Sequence, residues 1–160
     1  MVVNELTRAL REFIAEAVKE YLLPTKNGDA KAPTVVNGYL PPKRTNRDVD
    51  DFPFIVVRAD AGSTDADNSL IDVSIIIGCY SQEFDGHEYC INVMSRIDKA
   101  LTSMTNGTLN DRYMLQYPLV WQMVEDQPYP QWQLDMSTKW LYKAPTVNFG
   151  YLDPNEKELE

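Results

Sequence analysis

The chain has 160 residues, 44% of them hydrophobic, which suits one domain with a substantial core. Its 15 Lys and Arg stand against 24 Asp and Glu, a formal net charge of −9. Tight duplex binding needs cations against the phosphates, so the balance argues against that class. No apolar run reaches the roughly 20 residues of a membrane span.

The first element is helical. Asn4 can cap it, and Leu6, Leu10, Phe13, Ala17 and Tyr21 recur at helical spacing, with Arg8, Arg11, Glu12, Glu16, Lys19 and Glu20 on the other side. Glu5, Arg8, Arg11 and Glu12 also interrupt any apolar stretch of the kind a secretory leader needs. The helix is expected to stop at Pro24, before a polar turn over Thr25 to Lys31. A short extended piece begins at Val35-Val36 and ends at Pro41-Pro42, and Lys43 to Asp51 (KRTNRDVDD) reads as a charged loop.

Phe52 to Arg58 is β-branched and aromatic and reads as a strand; Asp60 to Ser69 (DAGSTDADNS) has loop chemistry throughout. Ile71, Val73, Ile75, Ile77 and Cys79 alternate with Asp72, Ser74, Ile76 and Gly78, the pattern of a strand with one firmly apolar face. Together these two strands make a hairpin across an acidic loop.

Asp85 and Glu88 have capping-box spacing, and Phe84 and Tyr89 stand where a hydrophobic staple forms. A second helix follows with Cys90, Val93, Ile97, Leu101 and Met104 on one face, ending at Asn106-Gly107. Two long strands come last. Tyr113, Leu115, Tyr117, Leu119, Trp121 and Met123 share a face of the first; Trp132, Leu134, Met136, Thr138, Trp140 and Tyr142 share a face of the second. Between them lies QPYP (Gln127 to Pro130), where Pro128 and Pro130 bracket Tyr129; prolines cannot donate to a ladder, so this is a stiffened hairpin tip.

The expected fold class is therefore α+β: an antiparallel sheet, two main helices packed on one face, and a long C-terminal hairpin. The domain is expected to span residues 1–147, with an acidic tail over residues 148–160.

Chemistry is sparse. His87, the one histidine, lies in the first turn of the second helix with no activated Ser or Cys setting near it, so a structural or surface role is expected. Cys79 and Cys90 fall on core faces and read as inert buried thiols; two cysteines make no disulfide framework, and a reducing compartment is expected. Asp65 to Ser69 is faintly similar to a calcium loop, but Leu70 stands at the glycine position and Ile76 at the bidentate glutamate position. No metal, cofactor or catalytic role is expected. Lys43, Arg44 and Arg47 form the one basic cluster; the bland reading is a solvated loop and the sharper one a charge-complementary contact with a partner copy or neighbouring protein.

The whole pattern resembles the tail terminator (tail completion) proteins of long-tailed bacteriophages. The resemblance is carried from Leu6 to about Pro145 by the first helix, GYLPPK (Gly38 to Lys43), FPFIVVR (Phe52 to Arg58), IIIGCYS (Ile75 to Ser81), NVMSRIDKAL (Asn92 to Leu101) and PLVWQMVEDQPYPQW (Pro118 to Trp132). It implies a ring, usually a hexamer, at the head-proximal end of the tail tube. The ring stops tube polymerisation and presents a docking surface to the head-side connector. The protein would be a virion component assembled in the host bacterial cytoplasm, and genome DNA would pass through it without specific binding. A head-side stopper or adaptor of the phage neck is the alternative.

On that footing Pro128, Tyr129, Pro130 and Trp132, with Lys43, Arg44 and Arg47, are candidate interface residues. Asp60, Asp65 and Asp67 are candidate channel-lining residues, since carboxylates repel a duplex and leave it free to slide. The bland alternative for each aspartate is a solvated outer loop. The three tryptophans are expected in the core or an interface rather than in a ligand box.

Overall fold

The computed structural model describes residues 2–40, 51–127 and 129–143. In the first helix, α1 (Val2–Val18), the fully buried apolar residues are Leu6, Leu10, Ile14 and Val18. A four-residue spacing keeps a stripe on one helix face, so Ile14 and Val18 occupy the core line assigned above to Phe13 and Ala17. The helix starts before Asn4, which is therefore no cap, and ends before Tyr21, whose N–H closes a turn onto Val18 O at 2.9 Å.

A two-residue pairing of β1 (Leu23–Pro24) with β2 (Ala30–Lys31) follows, and then β3 (Thr34–Asn37). The remaining strands are β4 (Phe54–Thr64), β5 (Asn68–Tyr80), β6 (Thr108–Leu109), β7 (Tyr113–Met123) and β8 (Gln131–Lys143), with α2 (His87–Thr102) between β5 and β6. Six strands form one sheet in the order β3-β4-β5-β8-β7-β6. Every pair is antiparallel except β3 with β4, which is parallel, so the sheet is mixed at one edge.

Both helices lie on the same face. They bury Ile55 and Val57 of β4, the alternating Ile71, Val73, Ile75, Ile77 and Cys79 of β5, and Leu134, Met136 and Trp140 of β8. The α+β architecture read from periodicity is the observed one. Its centre is the β5–β8 pairing, in register along all 13 residues of β5. The one buried hydroxyl there is satisfied: Thr138 Oγ1 donates to Val73 O at 2.8 Å and accepts from Trp140 Nε1 at 2.9 Å. A one-residue slip would break the bond to Val73 and turn every core side chain outward.

Local readings differ from this fold in four places. Asp60 to Ser69 is mostly strand, since β4 runs to Thr64 and β5 begins at Asn68, leaving only Asp65 to Asp67 as the turn. Pairing with a long neighbour overrides the loop-like composition. At the start of α2 the N-cap is Gly86 with no side-chain cap, and Phe84 is 99% exposed, so neither capping box nor staple forms. The same helix stops at Thr102; Asn106 (φ 59°) and Gly107 (φ 65°) belong to the reversal into β6. Finally, β7 is not continuous. Its register with β8 shifts between Gln116 and Val120, where Pro118 has no N–H to give, and Tyr117 is 65% exposed instead of lying on the core face.

Candidate functional site

Two regions stand out once the core is accounted for: the hairpin tip and the open margins of the sheet. The tip is held by side chains rather than by a strand ladder. The amide of Gln127 donates to Val124 O and, at 3.0 Å, to Gln133 O, while its oxygen accepts Gln133 N–H at 2.7 Å. Sequence reasoning passed over this glutamine; its position just before a proline pair was the only local signal.

Beyond it the tip is strapped to the segment that enters α2. Tyr129 OH donates to Gln82 O at 2.6 Å, Ser81 N–H to Pro130 O at 2.9 Å, and Trp132 Nε1 to Ser81 O at 3.0 Å. Tyr129 meets Trp132 edge-on, ring centroids 6.0 Å apart, and His87 lies 5.9 Å from the same indole. Gly86 makes room for it, since a Cβ there would sit 2.5 Å from Trp132 Nε1. Tyr129 thus has its hydroxyl engaged within the chain while 59% of the residue stays exposed. Pro128, Lys43, Arg44 and Arg47 lie outside the described residues, as does the expected boundary between residues 147 and 148.

The three aspartates are not one group. Asp65 Oδ1 accepts the N–H of Asp67 at 2.8 Å and of Asn68 at 2.7 Å, closing the β4–β5 turn. Those two N–H bonds hold its carboxyl below the usual carboxylate range. Asp67 is exposed at the turn itself. Asp60 is far from the tip, at a bulge in β4 on the sheet face away from the helices, where Ser74 Oγ donates to its carboxylate. It lines a groove of about 390 Å³ with Asp72, Ser74, Pro118, Val120 and Lys139.

The sheet margins are uneven. On one side β3 covers only Phe54 to Val57, and among the described residues β4 from Arg58 to Thr64 has no further strand beside it. On the other side β6 covers only Tyr113 and Met114, and among the described residues the rest of β7 has no further strand beside it. That bare stretch is apolar: Val120 is 51% exposed and Trp121 46%. Of the tryptophans, Trp140 is buried, Trp132 is partly buried under the tip, and Trp121 faces solvent at the edge.

The thiols of Cys79 and Cys90 are buried against each other between β5 and α2; their hydrogen bond and their burial push the Cys79 thiol far up. Among the described residues no three His, Cys, Asp or Glu side chains converge in a way that could hold a metal ion.

No protein-family model matches this chain, and no curated protein matches it. Among solved structures, a chain from the virion of a native gene transfer agent particle is similar to it. The two share 12% identity and a TM-score of 0.38, over 68% of this chain and 78% of that one. A likeness this distant carries nothing about what this chain binds.

Proposed function

We propose that this chain is a structural subunit of a phage tail that forms a ring, expected to be a hexamer, on the head-proximal end of the tail tube. In this reading the ring ends tube polymerisation, offers the docking surface for the head-side connector, and performs no catalysis. The observation that carries it is the bare apolar edge from Tyr117 to Met123, which lies within the stretch that bears the resemblance to tail terminators. An uncharged apolar edge is a liability in a monomer and is normally blunted by charge, proline or cover; Pro118 and the register shift interrupt this one, and among the described residues Val120 to Met123 stay open. A ring subunit keeps it for a neighbour.

The hairpin tip supports the same reading. Tyr129, Pro130 and Trp132 are braced by bonds to the segment before α2, so the exposed part of Tyr129 meets a neighbour with little ordering left to do. Pro128, Lys43, Arg44 and Arg47 complete the proposed contact set, and Asp60 and Asp67 remain candidates for facing passing DNA. The test is electron microscopy of the purified protein mixed with tail tubes and, separately, with the head-side portal or adaptor. The expected result is a ring on one end of each tube and arrest of tube growth. Binding to the portal or adaptor with none to tubes would replace this reading with that of a neck stopper.

A further inference from the structure

The end of β7 that follows the register shift stands level with β3, the strand at the opposite margin. Through the paired strands between them, Asn37 aligns with Val57, Ile75, Met136 and finally Trp121. Val36 aligns in the same way with Gln122, and Val35 with Met123. β3 runs parallel to β4 and directions alternate from β4 to β7, so β3 and β7 run in opposite senses. A second copy set beside the first, its sheet facing the same way, therefore brings its β3 antiparallel to the first copy's β7.

The free backbone groups match as well. Thr34 N–H donates to Pro53 O at 3.1 Å and Gly38 N–H to Val57 O at 2.8 Å, so Thr34, Val36 and Gly38 turn their backbone groups to β4. Val35 and Asn37, between them, point theirs away from the sheet. On the other margin Val124 N–H donates to Gln133 O at 3.2 Å, so by alternation Trp121 and Met123 point theirs outward. Among the described residues no strand lies beside either set. Val35–Asn37 and Trp121–Met123 carry no charge and no proline that would block pairing. Just past β3, Tyr39 is 73% exposed over Arg58, which aligns with the exposed Val120.

Resting on the ring reading, we infer that Trp121–Met123 of β7 pairs antiparallel with Val35–Asn37 of β3 in a second copy of this chain. Trp121 lies opposite Asn37 and Met123 opposite Val35, each pair exchanging backbone bonds, with Gln122 facing Val36 between them. Asn37 O already accepts Tyr39 N–H at 3.1 Å and has a second lone pair for the docked strand. The contact is heterologous. Because its two edges stand level across the subunit, each added copy brings little rise along the strands, so copies close into a ring instead of climbing into a filament.

The test is a disulfide between chains. Within one copy Val36 and Gln122 are four strand spacings apart, about 19 Å. Val36→Cys with Gln122→Cys in one chain therefore cannot bridge inside it, whereas across the contact the two Cα atoms come within about 4.5 Å. The native thiols are buried. Assembled on tail tubes and oxidised with copper phenanthroline, the double variant should give a covalent ladder on a non-reducing gel that ends at the ring. Val36→Cys with Gln116→Cys, on the same face but before the register shift, should give none. Assembly without a ladder, or equal ladders from both pairs, overturns the strand pairing while the ring reading stands. Should the reduced double variant fail to assemble, Met123→Pro decides, since it removes an N–H that serves no bond inside the subunit. Its unfolding midpoint should stay near that of the wild type while assembly is lost, and assembly at the wild-type level overturns the pairing. A wild type that forms no ring, alone or on tail tubes, overturns the ring reading and the pairing with it.

Discussion

Gly78 of β5 is paired with Phe54 of β4, and the Phe54 ring lies across the space where a side chain would be. A Cβ built at Gly78 falls 2.2 Å from Phe54 Cε2 and 2.3 Å from Cζ. Ordinary carbon contact is near 3.5 Å or more, so in Gly78→Ala the ring must move by more than an ångström. It cannot slide sideways freely, because Phe52 meets it edge-on with centroids 4.9 Å apart. Swinging out to solvent forfeits most of a buried aromatic's transfer energy, roughly 1.5–3 kcal/mol.

Against that loss, removing a glycine from a strand returns about 0.5–1 kcal/mol of chain entropy. The net expectation is a destabilisation of about 1–2 kcal/mol, or roughly 2–8 °C in Tm for a chain of this size. Urea unfolding followed by circular dichroism measures it. The decisive arm is Phe54→Ala. With the ring gone the same Gly78→Ala change should be neutral or stabilising by about 0.5–1 kcal/mol, a reversal of sign across the cycle. Equal destabilisation in both backgrounds, or no effect in the wild type, would refute the packing argument.

The tryptophans should separate cleanly. Trp140→Ala should cost about 3–5 kcal/mol by urea unfolding, because the side chain is fully buried. Trp121→Ala should cost under about 1 kcal/mol in the monomer and appear instead as lost assembly. Asp65 supplies a pH dependence. Its carboxyl is held below the ordinary 3.8 by two backbone N–H groups, so its support of the turn is complete above that value and lost as pH falls through the lower folded one. Amide-exchange protection at Asn68 should therefore fall as the pH drops below 3.8, and an Asp65→Asn variant should lack this transition. For DNA passage, Asp60→Lys with Asp67→Lys should slow genome ejection from otherwise normal particles if these carboxylates face the channel. Asp65 is left in place because it holds the turn. Unchanged ejection means the loop faces outward.

The strands were legible because period-two alternation follows burial directly, and β5 and β8 are covered by helices along most of their length. What escaped was set by neighbours in space. Asp60 to Ser69 looks like loop because its residues avoid strands on average, yet two long strands pairing side by side carry it into the sheet. The Tyr117 position follows the alternation on paper, but Pro118 shifts the register, and only the paired strand reveals where the shift falls. Phe84 and Asp85 spell a helix entrance, yet the bonds of Ser81 to Pro130 and Trp132 determine the path of that segment. The two open margins had no signature in sequence, because an edge is defined by which strands are missing beside it.

The thiol pair between β5 and α2 gives the molecule an internal clock. Neither sulfur reaches solvent while the helix rests on the sheet, so a thiol-directed reagent meets only the moments when that layer lifts away. Labelling of Cys79 and Cys90 then counts openings of the core rather than surface collisions. The same count, taken with and without tail tubes, separates a subunit that docks as a rigid body from one that must loosen to join.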